Sequence, residues 1–205
     1  MPNYISFSRR VVGVLAAGAA VVGTVVFGGA GVGQAATASL TLVYNCPFPL
    51  IGAQDMSVRI VVDNLPASAV VGKPTPTSTV TATATVPSSA TLGLALVGAK
   101  TVEGTAKAQT RVDNAGAIVD IAPTLTVAKT AVPASGSFNT VATGSNPPLT
   151  LTRVGTTTVT VGNFSTTLTP RKADGSLTGL GTFTSDCTLK SGQNTKLYQF
   201  PVTAS

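Results

Sequence analysis

The chain has 205 residues and a formal net charge of +6, and only 10% of its residues are charged, against about 25% in an average soluble domain. It contains no histidine, no tryptophan and only 7 acidic residues. These counts exclude catalytic triads that use histidine, histidine-ligated metals and a histidine general base, and they leave few carboxylates for paired-acid chemistry or a calcium site.

Residues 1–35 have the organisation of a secretory signal peptide. A short start that contains Arg9 and Arg10 precedes an uncharged run from Val11 to Val32, and small residues follow that run. This order is typical of a signal peptide that is removed after export. A retained membrane anchor is the alternative, because the run matches the roughly 20 residues that span a bilayer. We expect cleavage, which leaves residues 36–205 as the mature chain.

The mature chain keeps a small positive charge without a basic patch. Removal of Arg9 and Arg10 lowers the net charge to +4, and the remaining lysines and arginines are scattered along the sequence. Nucleic-acid binding usually shows clustered basic residues with aromatic side chains among them. We therefore expect no nucleic-acid partner. Since no segment after residue 40 is apolar enough to span a bilayer, we also expect no membrane association after signal cleavage.

Alternation of apolar and polar residues with a period of two predicts β-strands along nearly all of the mature chain. The clearest run is 77–86, T-S-T-V-T-A-T-A-T-V, in which valines and alanines would face a core and threonines would face water. A glycosylated low-complexity stalk is the alternative for this run. Turn signals and prolines separate about a dozen such strands. The pattern predicts an all-β antiparallel immunoglobulin-like β-sandwich, as one lobe or as two stacked lobes.

One segment has no clear strand pattern. Ser88 and Ser89 could cap a short helix that runs through Ala95, because serine accepts hydrogen bonds from the free N–H groups at a helix start. Gly93 weakens this prediction. A loop or a strand remains the alternative for this segment.

Two cysteines remain in the mature chain, Cys46 and Cys187. An even number of cysteines in an exported protein predicts a disulfide bond. A reactive thiol is the alternative, but the chain has neither a C-x-x-C spacing nor a histidine that would lower a thiol pKa. We predict a single bridge between the start and the end of the mature domain.

Two longer motifs resemble a known family. The first is Y-N-C-P-F-P-L-I-G at 44–52, and the second runs from T-P-R-K-A-D-G-S at 169–176 through G-L-G-T-F at 179–183 to Cys187, with L-V-G-A at 96–99 between them. Together they resemble a family of secreted actinobacterial proteins that is catalogued as a domain of unknown function. The resemblance implies an exported, β-rich, immunoglobulin-like domain whose two cysteines pair. It implies no catalytic residue and no ligand.

The second motif also contains the candidate contact site. Pro170 would end a strand and Asp174 with Gly175 would form a turn, which leaves Arg171 and Lys172 on a loop. Since loops on rigid scaffolds often carry binding sites, Arg171, Lys172 and Asp174 are the predicted partner contact. A solubilising loop with a structural turn is the alternative.

The sequence therefore predicts a non-catalytic structural or interaction module that is secreted to the cell envelope or the extracellular space. We expect no catalytic residues, no metal site and no cofactor, and a protein or a cell-wall glycan as the partner. One alternative is a module that binds cell-wall polysaccharide. Another is a protease inhibitor that presents the Arg171-Lys172 loop, and a third is an enzyme with an unusual serine–lysine or carboxylate site.

Overall fold

Eleven β-strands and one short helix make up the part of the chain that the structure, a computed structural model, describes, residues 35–205. The predicted signal peptide lies outside the described residues except for its last position. In chain order the elements are β1 (Ala36–Phe48), β2 (Gly52–Leu65), β3 (Ala69–Val70), β4 (Ser78–Val86), α1 (Ser88–Leu96), β5 (Thr101–Asn114), β6 (Ala117–Ile121), β7 (Thr124–Ala131), β8 (Phe138–Asn146), β9 (Gly155–Arg171), β10 (Phe183–Leu189) and β11 (Lys196–Thr203).

Eight of these strands form a closed antiparallel barrel. The strand order is β9-β10-β1-β2-β4-β8-β7-β5, and β5 pairs in turn with β9. Strand β11 pairs with the first half of β9 and carries β3 on its outer edge, and β6 pairs with the end of β5. The prediction of an all-β antiparallel fold is confirmed, but the arrangement differs from the predicted immunoglobulin-like sandwich.

The difference has a physical reason. Alternation with a period of two specifies one buried face on each strand, and both a sandwich and a closed barrel satisfy that requirement. Closure depends on β9, a strand of 17 residues, which pairs with β5 along most of its length and with β10 and β11 on its other edge. The local pattern does not encode this long-range pairing. The described residues also form one compact unit rather than two lobes.

Strand β4 shows the predicted alternation within the barrel wall. Val80 and Val86 are buried, while Thr79 and Thr85 are exposed. The strand pairs with β2 on one side and β8 on the other. The threonine-rich run is therefore a central strand and not a stalk.

Helix α1 crosses one end of the barrel. It joins β4 to β5, which are separated in the sheet by β8 and β7. Its Ala90 and Leu94 are buried, and Gly93 lies against Ile51 of the β1–β2 turn. The helix was predicted for this segment, with a loop or a strand as the alternative, but its cap differs from the prediction. Pro87 is the N-cap without a side-chain hydrogen bond, and Ser89 donates instead to Gln54 Oε1 at 2.6 Å.

A short seam joins β1 to β10 in the barrel wall. Strands β1 and β10 share only two paired positions, Tyr44 with Leu189 and Asn45 with Thr188. The predicted disulfide between Cys46 and Cys187 is present at this seam, with Cα atoms 4.2 Å apart.

Next to the paired positions, the side chain of Gln193 forms hydrogen bonds with the backbone of β1. Gln193 Nε2 donates to the Val43 carbonyl at 2.8 Å, and Gln193 Oε1 accepts from the Val43 N–H at 2.7 Å. The Val43 carbonyl also accepts from the Lys190 N–H at 3.1 Å, so both backbone groups of Val43 are satisfied just beyond the end of β10.

Candidate functional site

The barrel encloses an apolar cavity of about 130 Å³. All eight barrel strands contribute inward-facing side chains to its wall, and Leu94 of α1 closes one end. The wall contains no charged side chain among the described residues. The volume is close to that of a cavity of about 150 Å³ which stays dry and binds benzene. The interior can therefore hold a small uncharged hydrocarbon group.

Small side chains create this space. Ala82 and Ala84 of β4, Ala106 and Ala108 of β5, and Ala142 of β8 all line the cavity. Ala82 and Ala142 are direct cross-strand partners, so two short side chains meet at that level of the barrel. An eight-stranded barrel has an interior just wide enough to be filled by ordinary side chains. Alanines on neighbouring strands leave part of that interior empty.

Aromatic side chains form another part of the wall. The rings of Tyr44 and Phe164 meet edge to face with their centroids 4.7 Å apart. The Tyr44 hydroxyl donates to the Gly162 carbonyl at 3.2 Å. Burial raises the pKa of Tyr44 to about 12, because the phenolate loses its hydration inside the barrel. At neutral pH the Tyr44 side chain is an uncharged, hydrogen-bonded part of the wall.

Among the few polar side chains of the lining, Asn146 has a buried acceptor without a partner. Asn146 lies at the end of β8, away from α1, and its Nδ2 donates to Ser78 Oγ at 3.0 Å. Its Oδ1 is buried and has no hydrogen-bond partner within the described residues. Buried acceptors are normally satisfied, so a ligand hydroxyl or amide N–H, or a water molecule, is the expected partner of this atom.

The structure places the three predicted contact residues around the turn between β9 and β10, and two of them have structural partners. Arg171 Nε donates to Glu103 Oε1 at 2.6 Å, and Arg171 Nη1 donates to the Gly175 carbonyl. Asp174 accepts from both the N–H and the hydroxyl of Ser176, and these hydrogen bonds hold the pKa of Asp174 below its ordinary value. Lys172 is exposed. The ion pair holds Arg171 against the sheet, so of the two basic residues of the inhibitor hypothesis Lys172 is the one that protrudes.

The aromatic residues also bear on the glycan hypothesis. Sugar-binding surfaces need exposed aromatic faces, but every aromatic side chain of residues 35–205 is buried or half-buried. Five of them line the cavity: Tyr44, Phe48, Phe138, Phe164 and Phe183. Their faces are turned to the barrel interior and not to an outer platform.

The chemistry of the described residues is limited in other respects. Residues 35–205 contain no group of three histidine, cysteine or acidic side chains that could hold a metal ion. Lys100, Lys107 and Lys129, the lysines of the strand-like segments, do not line the cavity. In the same range, no helix has the length and hydrophobicity needed to cross a membrane.

The cavity was not predicted from the amino-acid sequence. Its signal is visible at the inward positions of two strands, where Ala82 and Ala84, and Ala106 and Ala108, stand in place of larger residues. Small residues on a buried face leave empty space only if the residues that face them are also too small to fill it, so the opposing strands must be known. Those neighbours are set by barrel closure, which the sequence pattern does not show.

The comparisons with known proteins give a family but no function. A family model described as a family of unknown function, DUF6801, matches residues 43–198. No curated protein and no solved structure matches the chain. The match confirms the family resemblance drawn from the two motifs, while the actinobacterial origin stays a prediction. The chain therefore belongs to this family of unknown function, DUF6801.

Proposed function

We propose that the protein is a secreted, non-catalytic binding module of the cell envelope or extracellular space that holds an alkyl chain or a similar small hydrocarbon group inside its barrel. The observation that carries this proposal is the uncharged cavity of about 130 Å³. The sequence predicts an interaction module without a named ligand, and the proposal adds the class of ligand that the module binds.

The chemistry of the wall selects the ligand. Burial of a methylene group gains about 0.8 kcal/mol, so a chain of about five methylenes gains roughly 4 kcal/mol, which corresponds to a dissociation constant near 1 mM. An ionised group would lose its hydration among side chains that offer no counter-charge. The buried part of the ligand is therefore uncharged, and a terminal hydroxyl could donate to Asn146 Oδ1.

The location outside the cell is supported by two observations. The Cys46–Cys187 disulfide is consistent with an oxidising compartment, because cytosolic thiols are kept reduced. Residues 1–35 have the order of a signal peptide. Secretion and processing would be checked by the mass of the exported protein, which should begin close to Ala36.

Binding is tested with 1-hexanol, which is uncharged and close to the cavity in size. We expect saturable chemical-shift changes at the methyl groups of Val58, Val127 and Val161, which belong to the cavity wall, with a dissociation constant in the millimolar range or below. Ala82→Leu should weaken binding at least tenfold, because the added methyl groups occupy the cavity.

The matched control is Thr79→Leu on the same strand, where the side chain is exposed on the outer face. This variant should bind hexanol within twofold of the unchanged protein. Equal affinity of the Ala82→Leu variant, or no saturable shift in the unchanged protein, would overturn the proposal.

A further inference from the structure

The exposed leucines are confined to one end of the barrel. Of the leucines in residues 35–205, four are exposed: Leu50, Leu92, Leu96 and Leu177. Leu50 lies in the β1–β2 turn, Leu92 and Leu96 lie on α1, and Leu177 lies in the β9–β10 loop. Each of these segments is at the end that α1 crosses. We call these four residues the leucine rim.

The turn and the helix that carry three of the rim residues are in contact. On α1, Leu92 and Leu96 are one turn apart on the exposed face, while Gly93, the residue after Leu92, is buried. Gly93 lies against Ile51, the neighbour of Leu50. Leu96 is 82% exposed and Leu50 is 67% exposed, so this surface faces solvent although it is apolar. Exposed apolar side chains on neighbouring segments are a feature of interaction sites.

Lysines accompany the rim. Lys100 follows α1, Lys129 lies near the end of β7, and Lys172 lies in the same loop as Leu177. All three are exposed, and none takes part in an ion pair among the described residues. Of the acids at this end, Glu103 is paired with Arg171, and the ionised Asp174, which lies near Lys172, offsets one of the three lysine charges. The rim therefore has a surplus of positive charge around it.

The rim also lies outside the cavity. Leu94, on the opposite side of α1 from Leu92 and Leu96, contributes to the cavity wall. The same helix therefore presents one leucine to the interior and two leucines to solvent. A surface that docked on the rim would contact the outer side of the element that closes the cavity.

We propose that the leucine rim and its three lysines dock the barrel, with the α1 end first, onto an anionic lipid surface. Exposed leucines that insert at the headgroup level, with lysines that contact anionic lipids, are the features of proteins that lie on a membrane without spanning it. The inference rests on the proposed function in one respect, since it names lipid as the source of the alkyl chain. It replaces the expectation from the sequence that the mature chain makes no contact with membranes.

The test uses the exported and processed protein with vesicles of phosphatidylcholine alone or with 30% phosphatidylglycerol. We expect co-sedimentation with the anionic vesicles and a partition coefficient at least tenfold lower for the Leu92→Ser/Leu96→Ser variant. Val154→Ser is the matched control, because Val154 is 60% exposed at the opposite end of the barrel. This control should bind within twofold of the unchanged protein.

A second variant separates the charges from the leucines. Lys100→Gln/Lys129→Gln/Lys172→Gln should weaken binding to anionic vesicles and should reduce its dependence on salt. Absence of binding to anionic vesicles, or equal binding by the leucine variant, would overturn the docking proposal. A dimer in sedimentation velocity that the leucine variant abolishes would also overturn it, because the rim would then be covered by a second copy.

The hexanol titration keeps this proposal distinguishable from the proposed function. The leucine and lysine changes are on exposed side chains, so these variants should keep the hexanol affinity of the unchanged protein. Loss of vesicle binding with retained hexanol binding would assign the rim to docking. Hexanol binding without any vesicle binding would overturn the docking and leave the cavity function standing.

Discussion

Tyr44 couples the stability of the barrel to pH at a single residue. Its hydroxyl is held inside the wall, and burial raises its pKa to about 12, above the value near 10 of an exposed tyrosine. The folded state therefore favours the neutral phenol over the phenolate more strongly than the unfolded state does. This contribution to stability is complete below pH 10 and is lost as the pH rises towards 12.

We predict that the free energy of unfolding falls by about 2 kcal/mol between pH 10 and pH 12 because of this residue. Urea unfolding of the unchanged protein and of Tyr44→Phe across that range isolates the effect, because all other titrating groups are common to both. The variant also loses the hydrogen bond to Gly162, which shifts its stability at every pH. Parallel curves for the two proteins would contradict the prediction.

Position 104 can be occupied only by glycine, because the backbone of β9 leaves no room for a side chain. Strand β5 runs so close to β9 at this position that a Cβ atom on residue 104 would lie 2.0 Å from the Thr167 carbonyl oxygen. The obstacle is backbone within a paired strand, so it cannot move aside without breaking the ladder. Glycine in a strand often marks such a close approach.

The substitution Gly104→Ala should lower the free energy of unfolding by about 3 kcal/mol, the range of an overpacked core. Chemical unfolding with circular dichroism measures it. Gly179→Ala is the control, since a Cβ there meets nothing within 4 Å, and it should change stability by less than about 0.5 kcal/mol. A similar loss in both variants would show that the clash at Gly104 is relieved by other means.

At the scale of elements, the seam between β1 and β10 is the shortest pairing of the barrel wall, shorter than the three paired positions of β7 with β8. It has two paired positions, whereas β1 and β2 are paired along most of their length. The disulfide and the Gln193 side chain both act at this seam. Covalent and side-chain links thus complete a wall that backbone pairing closes only in part.

Removal of the bridge in Cys46→Ala/Cys187→Ala should lower stability by up to about 5 kcal/mol, the chain-entropy value for a loop of this length. Local opening should begin at the seam, because few backbone hydrogen bonds remain there. Hydrogen exchange would detect it as faster exchange in β1 and β10 than in β2 and β4. Uniform acceleration across the barrel would argue against a weak seam.

The elements differ in how far the sequence predicts them. Alternation identifies β4 and its inward valines, because a period of two is a local property. The cysteine pair follows from composition and compartment. Barrel closure was not predictable, since it depends on pairs such as Glu103 with Thr169, which no local pattern specifies. The cavity also depends on barrel closure, because closure decides which strands face one another. The ion pair between Arg171 and Glu103 joins β9 to β5 and depends on the same closure.

At the scale of the whole molecule, the first and last strands meet at the end of the barrel opposite α1. Ala36 pairs with Leu65 on β2, and Val202 pairs with Ala69 on β3, only four positions later in the chain. Four residues span at most about 14 Å. Ala36 and Val202 are therefore close together, as chain ends of single domains often are.

We predict that a circular permutant folds in which a short glycine–serine linker joins residue 205 to residue 36, with new ends between Ser135 and Gly136 in an exposed loop. Its stability should lie within about 2 kcal/mol of the original chain, because no strand is cut. A permutant opened at Thr166, inside β9, is the control and should not fold. Far-ultraviolet circular dichroism and thermal unfolding distinguish the two results.

The position of α1 has a consequence for the speed of ligand exchange. A ligand that uses this end of the barrel can leave only when the helix shifts, so its residence time is set by local opening of the protein and not by its affinity alone. Such opening occurs on timescales of microseconds to seconds. A ligand of millimolar affinity would then be lost within seconds of washing, so the exported protein should be extracted into organic solvent without washing in order to recover and identify what it carries.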